Sequence, residues 1–285
     1  MTLLPGSARS LPFSLLLLCL LLTSAHSLHA QSGDTTLVQK AADSVVSQVR
    51  APIVQIPVTA KSLIIPGVLF AYGVVTLNNG RLREINEESQ EFFWDHKPHK
   101  SPYLEDYTLL APAAVVYGLN IFGVKGQNNF VDRSILYGMS NAIANGLSFG
   151  IKKLSIETRP DSSDRYSFPS GHTAEAFVSA EFLHLEYRGR VHWSVIAGGY
   201  AVGVGTAYLR MYHNKHWLSD VVAGAGIGIA ATRASYYLYP ILKNRIFGSR
   251  KIKGRAMIAY IPKRNVWCSR RTGILKKIRP ASGFG

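Results

Sequence analysis

The chain has 285 residues, of which 47% are hydrophobic and only 17% charged, against roughly 25% charged in soluble domains. That balance points to buried or membrane-associated helices, and two cysteines alone, Cys19 and Cys268, exclude a disulfide framework or a Cys-based metal site. The net charge of +15 is local: residues 243–285 hold thirteen Lys/Arg and no Asp or Glu, so the body is nearly neutral. A tail of this kind reads as a solvated, membrane-proximal basic segment, and no nucleic acid is expected as partner.

In chain order, residues 1–30 read as an export signal or an N-terminal anchor. Arg9 precedes the apolar run 15–22, and small residues follow at Thr23, Ser24, Ala25 and Ala30. Residues 31–106 form an N-terminal region with a short helix over 36–48 and a linker marked by Pro52 and Pro57. A short apolar helix covers 62–77, and an acidic surface segment follows, with Glu84, Glu87, Glu88, Glu91 and Asp95. Residues 107–242 form the main domain, with apolar helices expected over 107–124, 134–151, 191–209 and 217–242. A more amphipathic helix is expected over 173–187. An 18-residue helix reaches about 27 Å, close to a hydrocarbon core. Gly199/Gly203 and Gly224/Gly228 lie inside helical runs, where they fit close helix packing and not a dinucleotide loop. Residues 243–285 are the basic tail, with one strand expected at 256–261. The fold class is all-α: a bundle of about five to six helices, membrane-associated, with a basic C-terminal tail.

Three polar clusters interrupt this apolar sequence. The first is Lys152, six residues, then Arg159-Pro160. The second is Pro169-Ser170-Gly171-His172. The third is Arg210, five residues, His216, three residues, Asp220. They supply three permanent cations, two imidazoles and one carboxylate, an inventory suited to a phosphate monoester or pyrophosphate. Each cluster falls where one expected helix ends or its successor begins, so connectivity alone gathers all three at one rim of a bundle.

Phosphoryl transfer is governed by positioning and charge stabilisation. Lys152, Arg159 and Arg210 provide charge, and the arginines can grip two oxygens at once. Ser170 and Gly171, at a helix start, offer N–H groups and a hydroxyl to the same oxygens. His216 and Asp220 are four apart and share a helical face, so the carboxylate can hold one ring nitrogen and leave the other as nucleophile. His172 then remains as the general acid. His213 reads as a loop residue beside the motif. Asp161, Asp164 and Arg165 read as a solvated loop, and His96 and His99 as surface residues.

The pattern KxxxxxxRP, PSGH, RxxxxxHxxxD resembles the type-2 phosphatidic acid phosphatase and vanadium haloperoxidase superfamily. The resemblance covers 152–220 in motif and 107–242 in helix layout. It implies an all-α bundle, a phosphohistidine on His216 and inhibition by vanadate. It implies no metal and no cofactor. His172 is then the acid, Asp220 orients His216, and Lys152, Arg159, Ser170, Gly171 and Arg210 line the phosphate pocket. The family has Ser before the third-motif Arg, where this chain has Leu209.

The resulting expectation is a metal-independent phosphatase acting on a lipid-linked phosphate or pyrophosphate in the cell envelope. The resemblance offers undecaprenyl diphosphate, phosphatidate, phosphatidylglycerophosphate and lipid A phosphates as candidate substrates. Alternatives are a soluble periplasmic acid phosphatase or phosphotransferase and, further off, a vanadate-dependent haloperoxidase. A mean hydropathy of +0.08 and the polar Asn141, Asn145 and Arg233 keep the soluble alternative open. The basic tail places the catalytic rim on the outer face by the positive-inside tendency. Counting spans back from it disagrees by one crossing with an exported N-terminus.

Overall fold

The computed structural model describes residues 35–51, 53, 59–94 and 103–246. The chain divides into two compact units, Met1–Ala51 and Pro52–Gly285. In the first, the described part is helix α1, Thr35–Arg50. The second opens with a 3₁₀ turn, Ala60–Leu63, that runs into α2, Ile64–Asn78. There follow α3 (Gly80–Trp94), α4 (Glu105–Thr108), α5 (Ala111–Ile121) and α6 (Phe130–Ser155). The last three are α7 (Gly171–Tyr187), α8 (Trp193–Tyr212) and α9 (Leu218–Ile246).

The described residues are all-α, as expected, but hold nine α-helices in place of five to six. The acidic segment folds as a full helix, α3. The apolar run 107–124 breaks into α4 and α5 because Pro112 sits in the first turn of α5. A proline has no N–H to donate and disfavours helical geometry just before it. The strand expected at 256–261, the signal at 1–30, His96, His99 and both cysteines lie outside the described residues.

A larger correction concerns α7. The helix expected to be the more amphipathic one is the buried centre, packed by α5, α6, α8 and α9. Thirteen of its residues are buried, including Ala174, Ala176, Ser179 and Ala180. Small side chains let neighbours approach from every side, and the buried acids Glu181 and Glu186 each find partners. Glu181 takes Arg233 Nε at 2.7 Å and the Tyr200 hydroxyl. Glu186 takes Arg133 Nε at 3.1 Å, Asn128 Nδ2 at 2.6 Å and the Tyr236 hydroxyl at 2.7 Å.

The inward glycines do what their spacing suggests. A Cβ on Gly224 would stand 2.5 Å from the Ser170 carbonyl oxygen, and one on Gly199 would stand 2.7 Å from Leu183 Cδ2. Thus α9 meets α7 backbone to backbone at the opening of α7. At the other end of α9, Lys243 Nζ donates to both oxygens of buried Asp132, at 2.7 and 2.6 Å, and Tyr239 adds its hydroxyl at 2.7 Å. The first cation of the basic stretch is therefore a buried lock between α6 and α9.

Among the described residues one segment is long and apolar enough to cross a membrane, Ala60–Asn78, with a mean hydropathy of 1.7 and 17% of it buried. The helices expected to span from their apolarity do not meet that criterion. Asn141 and Asn145 lower the apolarity of α6 between its flanking charges, Arg233 interrupts α9, and α5 has only 11 residues.

Candidate active site

The three clusters meet at one end of the bundle, as the connectivity predicts. Lys152 lies in the last turn of α6 and Arg210 in the last turn of α8, while Asp220 is in the first turn of α9. Ser170 is the N-cap of α7 and Gly171 its first residue. His216 sits in the short loop between α8 and α9 and is 3% exposed.

His216 is held from both sides. Its Nδ1 lies 3.2 Å from Asp220 Oδ2, and its Nε2 lies 3.3 Å from Arg159 Nη1. Asp220 Oδ2 also accepts the Ser167 hydroxyl at 2.5 Å and the Trp217 N–H at 2.9 Å. The same oxygen therefore fixes the ring and closes the turn that carries it. With the Asp220 carboxylate on Nδ1, the favoured tautomer puts the proton there and leaves the Nε2 lone pair free for reaction.

Burial, followed by Arg210, Lys152 and Arg159, holds His216 well below its ordinary imidazole value, so the ring is neutral at neutral pH. Burial pushes Asp220 up to about 6 against the opposing Ser167 and Trp217 hydrogen bonds. Lys152 is lowered to about 8 by burial and by Arg159, and its ammonium is tied to the Tyr166 and Ser167 carbonyls at 2.6 and 3.0 Å. His172 is lowered to about 4 by burial and by Arg210, with Asp106 and Glu105 pulling it back up.

The remaining expected site residues are present with partners of their own. Arg210 Nη1 donates to Glu105 Oε1 at 3.2 Å. The Ser170 N–H donates to the Asp220 carbonyl at 3.0 Å, and its hydroxyl accepts from Thr173 at 3.0 Å. Gly171 and His172 open α7, where first-turn N–H groups have no partner within the helix. An oxyanion brought to His216 Nε2 thus enters a field set by Arg159, Lys152 and Arg210.

Several contributors were not legible as site residues. Ser167 stands two positions before the PSGH motif and carries the shortest contact to Asp220. Glu105 and Asp106 form an acidic doublet that reads as surface, yet Glu105 is fully buried between Arg210 and His213. His213 is accordingly not a free loop residue. It is buried, with Nδ1 2.8 Å from Glu105 Oε1. Asp161 and Asp164 are also more than solvated loop. Asp164 accepts Arg159 Nε at 2.8 Å, and Asp161 accepts Lys215 Nζ at 2.5 Å, so the loop braces the motif's Arg159 and the lysine next to His216. From α3, Asn86 accepts the Ser219 N–H at 3.0 Å and donates to its hydroxyl at 2.8 Å, buttressing the start of α9. Among the described residues no group of three His, Cys, Asp or Glu is placed to hold a metal.

This geometry belongs to a known group of sequences. The PAP2 superfamily profile matches residues 133–243, and all three motifs fall inside that stretch. Residues 133–243 are similar to the PAP2 superfamily. A lipid A 1-phosphatase of Porphyromonas gingivalis is 32% identical over 140 residues, which is 49% of this chain and 31% of that protein. The match thus spans about a third of the length of this curated relative. Two solved structures are similar in part. The PAP2 type phosphatidylglycerolphosphate phosphatase of Bacillus subtilis aligns with a TM-score of 0.45 at 20% identity, over 64% of this chain and 97% of that one. Aquifex aeolicus LpxE aligns with a TM-score of 0.36 at 19% identity, over 65% of this chain and 99% of that one. The PAP2 segment begins at Arg133, so Asn86, Glu105 and Asp106 reach the site from outside it.

Proposed function

We propose that the protein is a metal-independent phosphatase that hydrolyses a lipid-linked phosphate monoester or pyrophosphate through a phosphohistidine on His216. The observation that carries this reading is the setting of His216. It is a buried, neutral imidazole with Asp220 on Nδ1, and its Nε2 faces Arg159 within the field of Lys152 and Arg210. The Nε2 lone pair attacks phosphorus, and the three cations hold the equatorial oxygens. His172 gives a proton to the leaving oxygen as the P–O bond breaks. In the second half, water attacks the phosphohistidine, His172 takes a proton from that water, and the N–P bond breaks to release inorganic phosphate. Ser170 and Gly171 contribute the opening of α7 to the pocket wall.

A lipid substrate is supported by the Porphyromonas gingivalis relative, a lipid A 1-phosphatase, and by the apolar Ala60–Asn78 segment. The outer face of the membrane is supported by α9. Asp220 is in its first turn, and the basic residues 243–285 begin at its end. The positive-inside tendency favours the inner side for that basic end and so the outer side for the site at the other end of α9.

The test is phosphate release by the full chain in detergent with EDTA present. The substrates are undecaprenyl diphosphate, phosphatidate, phosphatidylglycerophosphate and lipid A 1-phosphate. Release from at least one lipid in EDTA, abolished in His216→Ala, is expected. Complete loss of activity in EDTA, or full activity in His216→Ala, contradicts the mechanism.

A further inference from the structure

His172 has a partner that neither the three motifs nor the PAP2 segment contains. Its Nε2 lies 2.9 Å from Oδ1 of Asp106, a residue 66 positions earlier in the chain. Asp106 belongs to α4, four residues that are anchored on both sides of it. Before it, Glu105 is buried and accepts from Arg210 and His213; after it, the Thr108 hydroxyl meets that of Thr206 at 2.9 Å. The Tyr103 ring also leans on His213, with centroids 4.9 Å apart. The main chain at Asp106 is therefore fixed against α8, while its side chain stays 53% exposed at the mouth of the site. Among the described residues its one side-chain hydrogen bond goes to His172.

We infer that Asp106 is the positioning residue for the general acid, holding His172 Nε2–H so that the Nδ1–H points at the leaving oxygen. The inference rests on the reading of His172 as that acid. The step it serves is balanced without any further reactant. The P–O bond breaks, the leaving oxygen keeps the electron pair and takes the Nδ1 proton, and His172 is left neutral with its remaining proton on Nε2, still donated to Asp106. The charged groups facing His172 are Glu105 and Asp106 on α4 and Arg210 on α8, with the neutral His216 on the following loop. Arg210 opposes a proton on His172, and the two carboxylates favour it. Asp106 therefore supplies both orientation and part of the charge that keeps the acid loaded. It mirrors, on the second histidine, what Asp220 does for the first.

A general acid matters in proportion to how badly the leaving group needs a proton. It contributes about 10²–10⁴-fold to a reaction that expels a poor leaving group and far less to one that expels a stabilised anion. The experiment measures kcat of the full-length protein on a short-chain alkyl phosphate and on 4-nitrophenyl phosphate. The variants are Asp106→Asn, Asp106→Glu and His172→Ala. The expected result is that Asp106→Asn lowers kcat on the alkyl ester at least about tenfold more than on the aryl ester. Asp106→Glu should recover part of that difference, and His172→Ala should show the same bias in larger measure. Equal losses on both esters in Asp106→Asn, with the bias retained in His172→Ala, overturn the inference and leave the acid in place. No bias in His172→Ala overturns both. Because Asp106 is half exposed, thermal midpoints of the variants should match the wild type, which separates positioning from loss of fold.

Discussion

At the scale of single residues, the site is a contest between burial and charge. Three cations and a buried setting strip protons from both imidazoles, and only carboxylates oppose them. One consequence concerns Asp220, which must be ionised to hold His216 Nδ1–H. Its ionisation near pH 6 should appear as an acid limb: kcat/KM falls as the pH drops through about 6, holds above it, and falls again as Lys152 loses its proton near 8. In Asp220→Asn the acid limb should vanish and kcat should fall by about two to four orders of magnitude, the range lost when the tautomer is no longer held. A pH–rate profile of the two proteins checks both parts. A second consequence concerns the empty pocket. His172 sits near 4 because burial, followed by Arg210, outweighs Asp106 and Glu105. An incoming dianion raises its pKa, so binding must take up protons, and affinity must rise as the pH falls from 7 to 5. Sulfate stays a dianion across that range, and calorimetry in two buffers of different ionisation enthalpy reads the uptake directly. Release of protons on sulfate binding would contradict the electrostatic picture.

At the scale of elements, the site is only as exact as the contact between α7 and α9. Ser170 and His172 ride on one helix and Asp220 on the other, and Gly224 lets the two backbones touch. Gly224→Ala places a methyl against the Ser170 carbonyl, which belongs to a rigid helix start and cannot swing aside. The expected cost is about 1–3 kcal/mol of stability, seen as a lower thermal midpoint, with a loss of kcat that persists at temperatures where the variant is folded. Gly198→Ala, on α8 with open space around it, is the matched control and should change neither. At the far end, Lys243→Ala leaves Asp132 buried without its cation and should destabilise by about 3–5 kcal/mol.

Much of this scale was legible. The motifs, the helix ends that carry them and the glycine pairs all follow from residue type and spacing. What escaped was the register of burial. Nothing local marks α7 as central, because its Glu175, Glu181, His184 and Glu186 look like a solvent face until Arg233, Tyr200 and Arg133 are placed beside them. Likewise Glu105 and Asp106 resemble any acidic surface pair. Their partners stand about a hundred positions away for Glu105 and 66 away for Asp106, and no periodicity records such a contact.

At the scale of the molecule, α9 links a site at one end to a basic segment at the other, and the apolar α2 packs against its glycine-rich face. Gly226 lets α2 come close, with a Cβ there only 2.6 Å from the Pro66 carbonyl oxygen. The one segment suited to a bilayer is thus bound to the helix that carries Asp220. The full chain is expected in the membrane fraction and to resist extraction at alkaline pH; recovery in a soluble periplasmic extract would favour the soluble phosphatase instead. The central claim is that His216 carries the phosphoryl group. The most direct measurement is rapid acid-free quenching of the protein with a lipid substrate labelled in its phosphate, followed by denaturing separation and a test of the bond's stability. The wild-type chain should carry label that survives alkali and is lost in acid, as a phosphoramidate is, and His216→Ala should carry none. Label retained on His216→Ala, or label on neither protein under conditions of rapid turnover, would contradict that claim.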